Sequence, residues 1–405
     1  MKNRKILILG VGEAQLNLIN EARNLGYYVV VCDMRTESEG AKLADKFYGI
    51  NYMDRDAVLE IARKEGIDGV ISNSEPAMLT VAYVSEQLGL PGNSVKSIET
   101  LLSKTKFREV QKQVGVYAPT HYVVLTEEEL FEKIQDIQYP IIIKPIESSG
   151  TRGTTKIEKF DENAISKAFC LCREFSRNNL VAIEEYVPMS SYSVNGAEIF
   201  VSGTDVFWEG LYLQNRSSQA PMVPMNEIFP AGLSDNEKIK IKTTVEKVLK
   251  ETEVKLGEYN VETYFTKEGE VFIVEINPRQ GGNNLPLLVK EHSGLDLTRL
   301  LVSTAVGDMS YYEEVKNFTR EYHFITQQVV FSHQDGIYDG LFIAKELQPF
   351  VKWIKEEYQK GDQIVNGINA GDVVAFVDLE FEDYETQHYF TDEIEKYVYP
   401  LVRTY

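Results

Sequence analysis

Residues 5–90 alternate short apolar runs with longer stretches in which apolar positions recur at helical spacing. Runs of this length suit β-strands, and the stretches between them suit helices. Strands that alternate with helices in this way predict a parallel, doubly wound α/β sheet. The predicted strands and helices, in chain order, are Lys5–Leu9, Ala14–Leu25, Tyr28–Cys32, Asp54–Glu65, Gly69–Ser72 and Ala77–Leu88.

The pattern changes after the linker Gly89–Val95, whose Gly and Pro residues are typical of the end of a unit. A helix is predicted at about Ser103–Val114, and the run Tyr139–Pro145 has the pattern of a buried strand. The chain from Ile141 to Pro278 mixes strands, helices and glycine-bearing turns, which is typical of an α+β region. Alternating runs such as Asp372–Phe381 predict a further small α+β unit. The domain boundaries expected from these changes are 1–95, 96–310 and 311–405.

The segment NVETYFTKEGEVFIVEIN, residues 260–277, predicts a β-hairpin with Glu268 and Gly269 as a two-residue turn. Glycine suits the second turn position because that position needs a positive φ. With this turn, Glu262 lies directly opposite Glu275. Opposed side chains have Cβ atoms about 5 Å apart, and two like charges at that distance repel by about 3 kcal/mol at an effective dielectric of about 20.

A bound cation would relieve this repulsion. Glu275, Asn277 and Arg279 alternate along the second strand, so they project from one face. Two carboxylates and an amide oxygen suit Mg²⁺ that is shared between protein and phosphate groups. The alternative is a solvent-exposed face on which acids are harmless. Arg279 and the glycine pair Gly281–Gly282 at the strand exit favour the metal site.

Lys144 closes an apolar strand and precedes the small, polar stretch ESSGTRGTT, Glu147–Thr155. Small residues let backbone N–H groups approach phosphate oxygens. The stretch is not a Walker loop, because no Gly-Lys-Ser/Thr follows it. Taken alone it predicts only a turn. A charge at the end of a buried strand favours phosphate binding, since such a charge rarely lacks a partner.

The stretch Asn179–Pro188 is another apolar strand, and it leads into two acids and a turn. Main-chain groups at this strand exit could bind an adenine, with Val187 supplying an apolar edge. A strand that simply ends at the surface explains the pattern equally well.

The stretch GVGEAQ follows the first strand and opens a helix, with Asp33 about twenty residues further on. A dinucleotide-binding fold has glycines and an acid at these places. Gln15 stands where the third glycine of that motif is expected, and it would crowd the helix against the strand. An NAD-dependent oxidoreductase that uses Gly10, Gly12 and Asp33 is therefore the weaker alternative.

Composition and charge limit the partners of this 405-residue chain, which is 43% hydrophobic and 26% charged. Its net charge of −20 is spread without a basic stripe, which argues against nucleic acid and against anionic membrane surfaces. No apolar run reaches the 18 or so residues of a membrane span. The five histidines never fall four residues apart, and the three cysteines suit a reduced cytoplasmic protein. We therefore expect a cytoplasmic protein with small-molecule substrates.

The order and spacing of these motifs resemble the ATP-grasp superfamily. The likeness is to carboxylate–amine ligases related to carbamoyl-phosphate synthase, biotin carboxylase and glycinamide ribonucleotide synthetase. It runs to about residue 310, and its most specific motif is VEINPR, Val274–Arg279. The resemblance implies a doubly wound first domain that binds no dinucleotide, an ATP-grasp domain with a lid at about 115–190, and a small C-terminal α+β domain. It also implies ATP and Mg²⁺ as cofactors, with Mn²⁺ as an alternative metal.

The resemblance further assigns roles to individual residues. Phosphate binding falls on Lys104, with Lys106 as the neighbouring alternative, and on Lys144. The other nucleotide contacts it implies are Ser149, Gly150 and Gly153 in the phosphate-covering loop and Glu184, Glu185 and Val187 in the adenine hinge. The metal ligands it implies are Glu262, Glu275 and Asn277. Arg279 would contact phosphate or the carboxylate substrate, so Arg279 and Lys144 are the expected catalytic residues. Ser191 stands where many members carry a ribose-binding Glu.

The function implied by this resemblance is an ATP-dependent ligase. It would form an acyl phosphate from ATP and a carboxylate, and then an amide with an amine, releasing ADP and phosphate. The segments Trp208–Glu227 and Arg279–Pro286 are expected to line the acceptor pocket, and a homodimer is one assembly expected of such a chain. A non-catalytic nucleotide-binding protein is the other alternative, but it should lack the paired acids.

Overall fold

The computed structural model describes residues 4–146, 153–176, 178–189, 193–216, 224–367 and 370–404. The helices in these ranges are α1 (Glu13–Asn24), α2 (Glu39–Leu43), α3 (Arg55–Glu65), α4 (Met78–Leu88), α5 (Val95–Leu102), α6 (Lys104–Gln113), α7 (Glu127–Lys133), α8 (Glu162–Phe175), α9 (Asp235–Glu251), α10 (Leu285–Ser293), α11 (Leu297–Ala305), α12 (Ser310–Lys316) and α13 (Tyr384–Thr391). The strands are β1 (Lys5–Leu9), β2 (Tyr28–Cys32), β3 (Lys46–Tyr48), β4 (Gly69–Ile71), β5 (His121–Val124), β6 (Ile141–Pro145), β7 (Thr155–Ile157), β8 (Val181–Glu185), β9 (Ser193–Ser202), β10 (Asp205–Arg216), β11 (Pro224–Phe229), β12 (Leu256–Phe265), β13 (Val271–Asn277), β14 (Phe324–Val330), β15 (Gly336–Ile343), β16 (Val351–Glu356), β17 (Gln363–Ile364), β18 (Ala375–Phe381) and β19 (Val398–Arg403).

The first sheet is parallel, with the strand order β3-β2-β1-β4. Side chains of β1 alternate between its two faces. Ile6 and Ile8 pack against α1 and α11, and Leu7 and Leu9 pack against α3 and α4. Because helices cover both faces, every interior position of β1 is apolar. The doubly wound sheet predicted from the sequence is confirmed.

Helix α11 comes from a later part of the chain and closes one face of this first sheet. Its residues Val302 and Ala305 belong to the same apolar cluster as Ile6 and Ile8. The approach is close, because a Cβ at Gly69 of β4 would lie 2.2 Å from the Ala305 carbonyl oxygen. Only glycine fits at this contact.

A second, antiparallel sheet has the order β5-β8-β6-β7 and lies within residues 115–190. Helices α7 and α8 cover one face of it. Ile141, Ile143 and Ile183 of the sheet pack there with Leu130 of α7 and Phe169 of α8. The apolar run predicted as a buried strand forms β6, and Lys144 is its penultimate residue.

The largest sheet has eight strands in the order β13-β12-β9-β10-β11-β14-β18-β16, and its pairings are antiparallel. Alternation along β9 sends Ile199 and Val201 toward α9 and Phe200 toward α10 and α11. Strand β11 pairs with β14, with Phe229 opposite Ile325, so the sheet continues across residue 310. The domain boundaries stay predictions. Strands β17, β15 and β19 form a further small sheet.

The hairpin β12–β13 contains the predicted pair, since Glu262 lies opposite Glu275. The predicted two-residue turn is wrong. Gly269 N–H donates to the Thr266 carbonyl at 3.0 Å, and Thr266 N–H donates to the Glu270 carbonyl at 2.9 Å, so the loop is the three-residue stretch 267–269. Gly269 does have the positive φ that suggested the turn, at 80°. A three-residue loop that ends in a left-handed glycine is another common hairpin connection.

The longer loop shifts the strand register by one residue near the turn, where Thr263 pairs with Ile273. An irregularity between Glu262 and Thr263 then restores the predicted register. On β13 the extra residue is Val274, between Ile273 and Glu275. A bulge of this kind strengthens the local twist and re-aims the side chains beside it. Here those side chains are the two carboxylates.

No helix in the described part of the chain combines the length and the apolar content needed to cross a bilayer.

Candidate active site

Four of the predicted residues line one cavity of about 220 Å³ at the open end of the β12–β13 hairpin. They are Glu262, Glu275, Asn277 and Arg279. The Asn277 side chain donates from Nδ2 to Glu275 Oε1 at 2.7 Å, which orients both groups. The hairpin therefore brings two carboxylates, an amide and a guanidinium together, as the strand pattern predicted.

Burial and several neighbouring charges act on the carboxyl group of Glu262. Burial raises the pKa of Glu262, and the negative charge of Glu275 raises it further. Arg216, at the end of β10, opposes this rise with Nη2 at 3.3 Å from Glu262 Oε2, and the charge of Arg279 also opposes it. Arg216 was not singled out from the sequence, although it falls within the expected acceptor segment Trp208–Glu227.

The donor set fits a magnesium ion that keeps other ligands. No group of three or more His, Cys, Asp or Glu side chains that could hold a metal ion is present among the described residues. The cavity offers two carboxylates and the oxygen of Asn277. Mg²⁺ commonly binds one or two carboxylates and takes phosphate and water oxygens for the rest. The three residues could therefore hold Mg²⁺ together with a nucleotide.

Glu184 of β8 is buried between two cations that come from different elements. Lys144 Nζ donates to Glu184 Oε2, and Arg108 Nε of α6 donates to Glu184 Oε1 at 2.8 Å. Burial alone would raise the pKa of this carboxyl, but Lys144 and Arg108 lower it to about 2. Arg108 also donates to Gln111 and to the Ile273 carbonyl of β13. The ion pairs connect the lid-region sheet to the hairpin that carries the carboxylates.

The structure distinguishes the two candidate phosphate-binding residues on α6. Lys106 is exposed and bonds Glu99 Oε2 at 2.7 Å, on the outer surface. Lys104, at the start of the helix, is close enough for its charge to act on Lys144. Burial lowers the pKa of Lys144, and the positive charges of Arg108 and Lys104 lower it further. A region that concentrates cations suits phosphate, but the role of Lys104 stays a prediction.

The expected adenine hinge is only partly open to a ligand. Glu184 lies in the middle of the lid-region sheet, paired on both sides, and its side chain is held by the ion pairs. Glu185 and Tyr186 each donate their N–H to main-chain carbonyls of neighbouring segments. Val187 is buried, and its carbonyl accepts from Tyr264 Oη at 2.7 Å. Its N–H has no acceptor among the described residues. Within this stretch, Val187 is the residue best placed to contact a base.

The phosphate-covering loop is only partly described. Ser149 and Gly150 lie outside the described residues, as does Ser191. Gly153 has a φ of 73°, and a Cβ there would lie 3.0 Å from the Phe175 ring. Its backbone thus needs glycine, whereas a role in covering phosphate stays a prediction.

The N-terminal glycine turn is filled by the protein itself. The side chain of Gln15 is buried against the turn, and its Cδ would lie 3.2 Å from a Cβ at Gly10. Asp33 accepts from Val11 N–H at 3.2 Å and from the Arg35 guanidinium at 2.8 and 3.0 Å. The acid that would bind a ribose is thus committed to internal bonds, which weakens the oxidoreductase alternative.

A second pair of carboxylates, Glu198 and Glu258, forms hydrogen bonds with the residues that follow β13. Glu198 accepts from Gly281 N–H at 2.9 Å and from Asn260 Nδ2 at 2.5 Å. Burial raises the pKa of Glu198 to about 7, although these hydrogen bonds oppose the rise. Its neighbour Glu258, whose pKa is raised by burial and by the charge of Glu198, accepts from Gln280 Nε2 at 2.7 Å. These bonds fix residues 279–282 in place.

We expect Gly281→Ala to reduce both stability and activity. A Cβ at Gly281 would lie 2.3 Å from Glu198 Oε1 and 2.5 Å from Leu285 Cδ1. Overpacking of this kind costs about 1–3 kcal/mol, which denaturant unfolding measures. Gly282→Ala is the matched control, because nothing lies within 4 Å of its added Cβ. Equal losses in the two variants would contradict the close packing at Gly281.

Comparisons with known proteins agree with this fold. The ATP-grasp N-terminal domain family matches residues 19–92, and the ATP-grasp domain family matches residues 109–283. Together they cover more than half of the 405 residues. The chain belongs to the ATP-grasp superfamily. It is an enzyme of the ATP-grasp ligase class, whose members form carbon–nitrogen bonds. The family resemblance and the fold class expected from the sequence are confirmed.

Solved structures share this fold, and curated proteins have similar sequences. An L-amino acid ligase from Bacillus licheniformis superposes with a TM-score of 0.81 at 18% identity, covering 100% of both chains. Phosphoribosylglycinamide synthetase from Anaerococcus prevotii gives 0.76 at 22% identity, covering 99% of this chain and 100% of its own. The uncharacterized protein y4rH of Sinorhizobium fredii is 27% identical over 77% of this chain, and the chain spans 63% of that protein. The formate-dependent phosphoribosylglycinamide formyltransferase of Bacteroides thetaiotaomicron is 23% identical over 68% of this chain and 70% of its own length.

Proposed function

We propose that the protein uses ATP to join a carboxylate to an amine through an acyl phosphate. The observation that carries the proposal is the cavity in which Glu262, Glu275, Asn277 and Arg279 meet. It combines a candidate site for a nucleotide-bound cation with a guanidinium for an anionic substrate. Relatives named as an L-amino acid ligase and a phosphoribosylglycinamide synthetase support the same reaction class.

In the first step, an oxygen of the substrate carboxylate attacks the γ-phosphorus of ATP. The bond from that phosphorus to the bridging oxygen breaks, and ADP leaves. Lys144 of the lid-region sheet and Lys104 at the start of α6 are the cations whose charges would stabilise the phosphate oxygens. Mg²⁺, when bound by Glu262, Glu275 and Asn277, supplies further charge neutralisation at the phosphates.

Arg279 is suited to hold the attacking carboxylate. Its side chain is partly buried, and its Nη1 donates to the Gln280 carbonyl at 2.7 Å, which fixes the guanidinium. Glu75 lies 3.7 Å from Nη2, a weak contact that a substrate carboxylate could replace. A guanidinium and a carboxylate form a bidentate pair that orients both groups. Reactions of this kind depend mainly on such positioning.

In the second step, the amine nitrogen attacks the carbonyl carbon of the acyl phosphate. The C–N bond forms, the C–O bond to phosphate breaks, and inorganic phosphate leaves, while the nitrogen releases a proton to solvent. No Ser-His-Asp or Cys-His arrangement is required for either step, because the acyl phosphate is already an activated acyl group.

A screen of paired carboxylates and amines for ADP release tests this proposal. We expect ADP, phosphate and the amide to form in equal amounts with the correct pair, the amide being identified by its mass. Omission of Mg²⁺ should stop the reaction, and Mn²⁺ should replace it in part. If AMP and pyrophosphate form instead, the roles given to Lys144, Arg279 and the two carboxylates are wrong. A cytoplasmic location and a homodimeric assembly stay predictions.

A further inference from the structure

The cavity is lined by a fifth charged residue besides Arg216, Glu262, Glu275 and Arg279. Neither step of the proposed reaction uses this residue. Glu227 of β11 is fully buried, with 0% of its surface exposed. Its Oε1 accepts from Gln214 Nε2 at 3.1 Å and from Asn283 Nδ2 at 3.0 Å. Its Oε2 accepts no hydrogen bond from the described residues, and neither does Gln214 Oε1. All three residues line the cavity of about 220 Å³, so two buried acceptor oxygens of its lining lack donors in the part of the chain that the structure describes.

Among the described residues, the hydrogen-bond donors to this carboxylate are the amides of Gln214 and Asn283, and none of them carries a charge. The charge of Arg216 acts on Glu227 from a distance, while its Nη2 donates to Glu262 at 3.3 Å. Behind Glu227 the neighbouring strands carry Gln327 and then Asp378, which are also buried, and Asp378 adds a negative charge. Burial raises the pKa of Glu227 to about 7, although the hydrogen bonds from Asn283 and Gln214 and the charge of Arg216 oppose the rise. Burying a carboxylate without an ion-pair partner costs free energy.

We infer that this corner of the cavity binds a protonated amine, whose N–H groups donate to Glu227 Oε2 and Gln214 Oε1. The inference rests on the proposed function, because the ammonium belongs to one of the two substrates. An ammonium group has a positive charge and three donors, which match one carboxylate and a second acceptor. A hydroxyl has one donor and no charge.

The ammonium has two chemical sources. It is either the incoming amine before it loses its proton, or an amino group carried by the carboxylate substrate. In both cases Arg279 and Glu227 would bind opposite charges within one cavity and fix the substrates between them. The two sources are separated by the choice of acceptor in the activity experiment.

The first experiment measures binding without turnover. Methylammonium chloride is compared with tetramethylammonium chloride, at equal concentration, for its effect on the Tm of the full chain. Tetramethylammonium has the same charge but no N–H donor. We expect methylammonium to raise the Tm of the wild type more than tetramethylammonium does, and to lose this advantage in Glu227→Gln. Asp378→Asn is the control, because Asp378 is buried in the same row but does not line the cavity; it should keep the difference.

The same variant tests whether Glu227 is merely structural. Removing an uncompensated buried charge should leave the Tm of Glu227→Gln equal to or above that of the wild type. A large fall in Tm would mean that the carboxylate supports the fold, and it would overturn the inference. So would an equal response of wild type and Glu227→Gln to methylammonium.

The second experiment uses the substrate pair found by the ADP-release screen. Glu227→Gln should raise the KM of the substrate that carries the ammonium by roughly tenfold or more, since a hydrogen bond to a charged group contributes at least that factor. The KM of ATP should not change. Hydroxylamine, which is uncharged at neutral pH, then replaces the amine. If Glu227→Gln and the wild type then form hydroxamate equally well, the ammonium belongs to the amine substrate. If the KM of the carboxylate is still higher in Glu227→Gln than in the wild type, the ammonium belongs to the carboxylate substrate.

The outcomes separate the two proposals. Equal KM values for every substrate in wild type and Glu227→Gln would contradict the ammonium site and leave the ligase reaction standing. If the wild type releases no ADP with any carboxylate, even with hydroxylamine, the proposed function fails. The methylammonium comparison then still decides whether the cavity binds a protonated amine.

Discussion

Glu275→Gln should abolish turnover and leave the fold intact. Glu275 lies opposite Glu262 and accepts from Asn277 at 2.7 Å, so its carboxylate is at the centre of the proposed metal site. Glutamine keeps the size of the side chain but removes a negative charge. A metal ion contributes several kcal/mol to such transition states, so the expected loss in kcat is roughly a hundredfold or more. Without metal, the substitution relieves repulsion, and the Tm should not fall.

The matched control is Glu270→Gln, an exposed acid at the turn of the same hairpin. It should keep full activity and full stability. The measurement is ADP release at saturating ATP over a range of Mg²⁺ concentrations, together with thermal unfolding. Unchanged kcat of Glu275→Gln at saturating Mg²⁺ would remove Glu275 from the metal site. A fall in Tm without added metal would show that its carboxylate has a structural role instead.

The opposed carboxylates could be predicted because they depend on local pattern. Side-chain alternation along a strand fixes which residues share a face, and a hairpin links two strands that are adjacent in sequence. The turn itself could not be fixed in this way. Thr266–Glu270 can form a two-residue or a three-residue loop around the same left-handed Gly269, and the bulge at Val274 compensates for the difference. The prediction of the pair was correct although its turn was wrong.

The buried cation Arg108 could not be predicted from its surroundings in the sequence. It lies on a helix with Lys104, Lys106 and Lys112, and its charge alone does not distinguish it from them. Its burial depends on Glu184, 76 residues away in the chain. Contacts at that separation depend on how the lid-region sheet packs against the helix, which periodicity does not describe. A charged residue on the apolar side of α6 is the one signal that could have identified it.

Glu227 was missed for a related reason. Strand β11 has buried residues on both faces, since it lies between β10 and β14 in the large sheet. Its pairing with β14 joins residues about a hundred positions apart, Phe229 and Ile325. The sequence places Glu227 inside the expected acceptor segment, but only the pairing shows that it is buried beside the cavity. Long-range strand order thus determines the part of the cavity that we propose binds the ammonium group.

Glu184→Gln should destabilise the protein strongly. Both cations that contact Glu184 are largely buried, with 5% of the Arg108 side chain and 17% of the Lys144 side chain exposed. Removing one partner of a buried ion pair leaves the others without compensation, which costs about 3–5 kcal/mol. Lys106→Met is the control. It breaks an exposed pair with Glu99 on the same helix, and such pairs contribute about 0–1 kcal/mol. Denaturant unfolding at neutral pH should separate the two variants clearly.

The pH dependence of the stability difference between wild type and Glu184→Gln tests whether this difference is electrostatic. The folded pKa of Glu184 is lowered to about 2, whereas an unfolded glutamate has a pKa of about 4.3. A carboxyl with a lowered folded pKa contributes stability above its unfolded pKa, and that contribution is lost as the pH falls through the folded value. The stability gap between wild type and Glu184→Gln should therefore be full above about pH 5 and narrow toward pH 2. A gap that stays constant over this range would mean that packing, and not the ion pairs with Lys144 and Arg108, accounts for the loss.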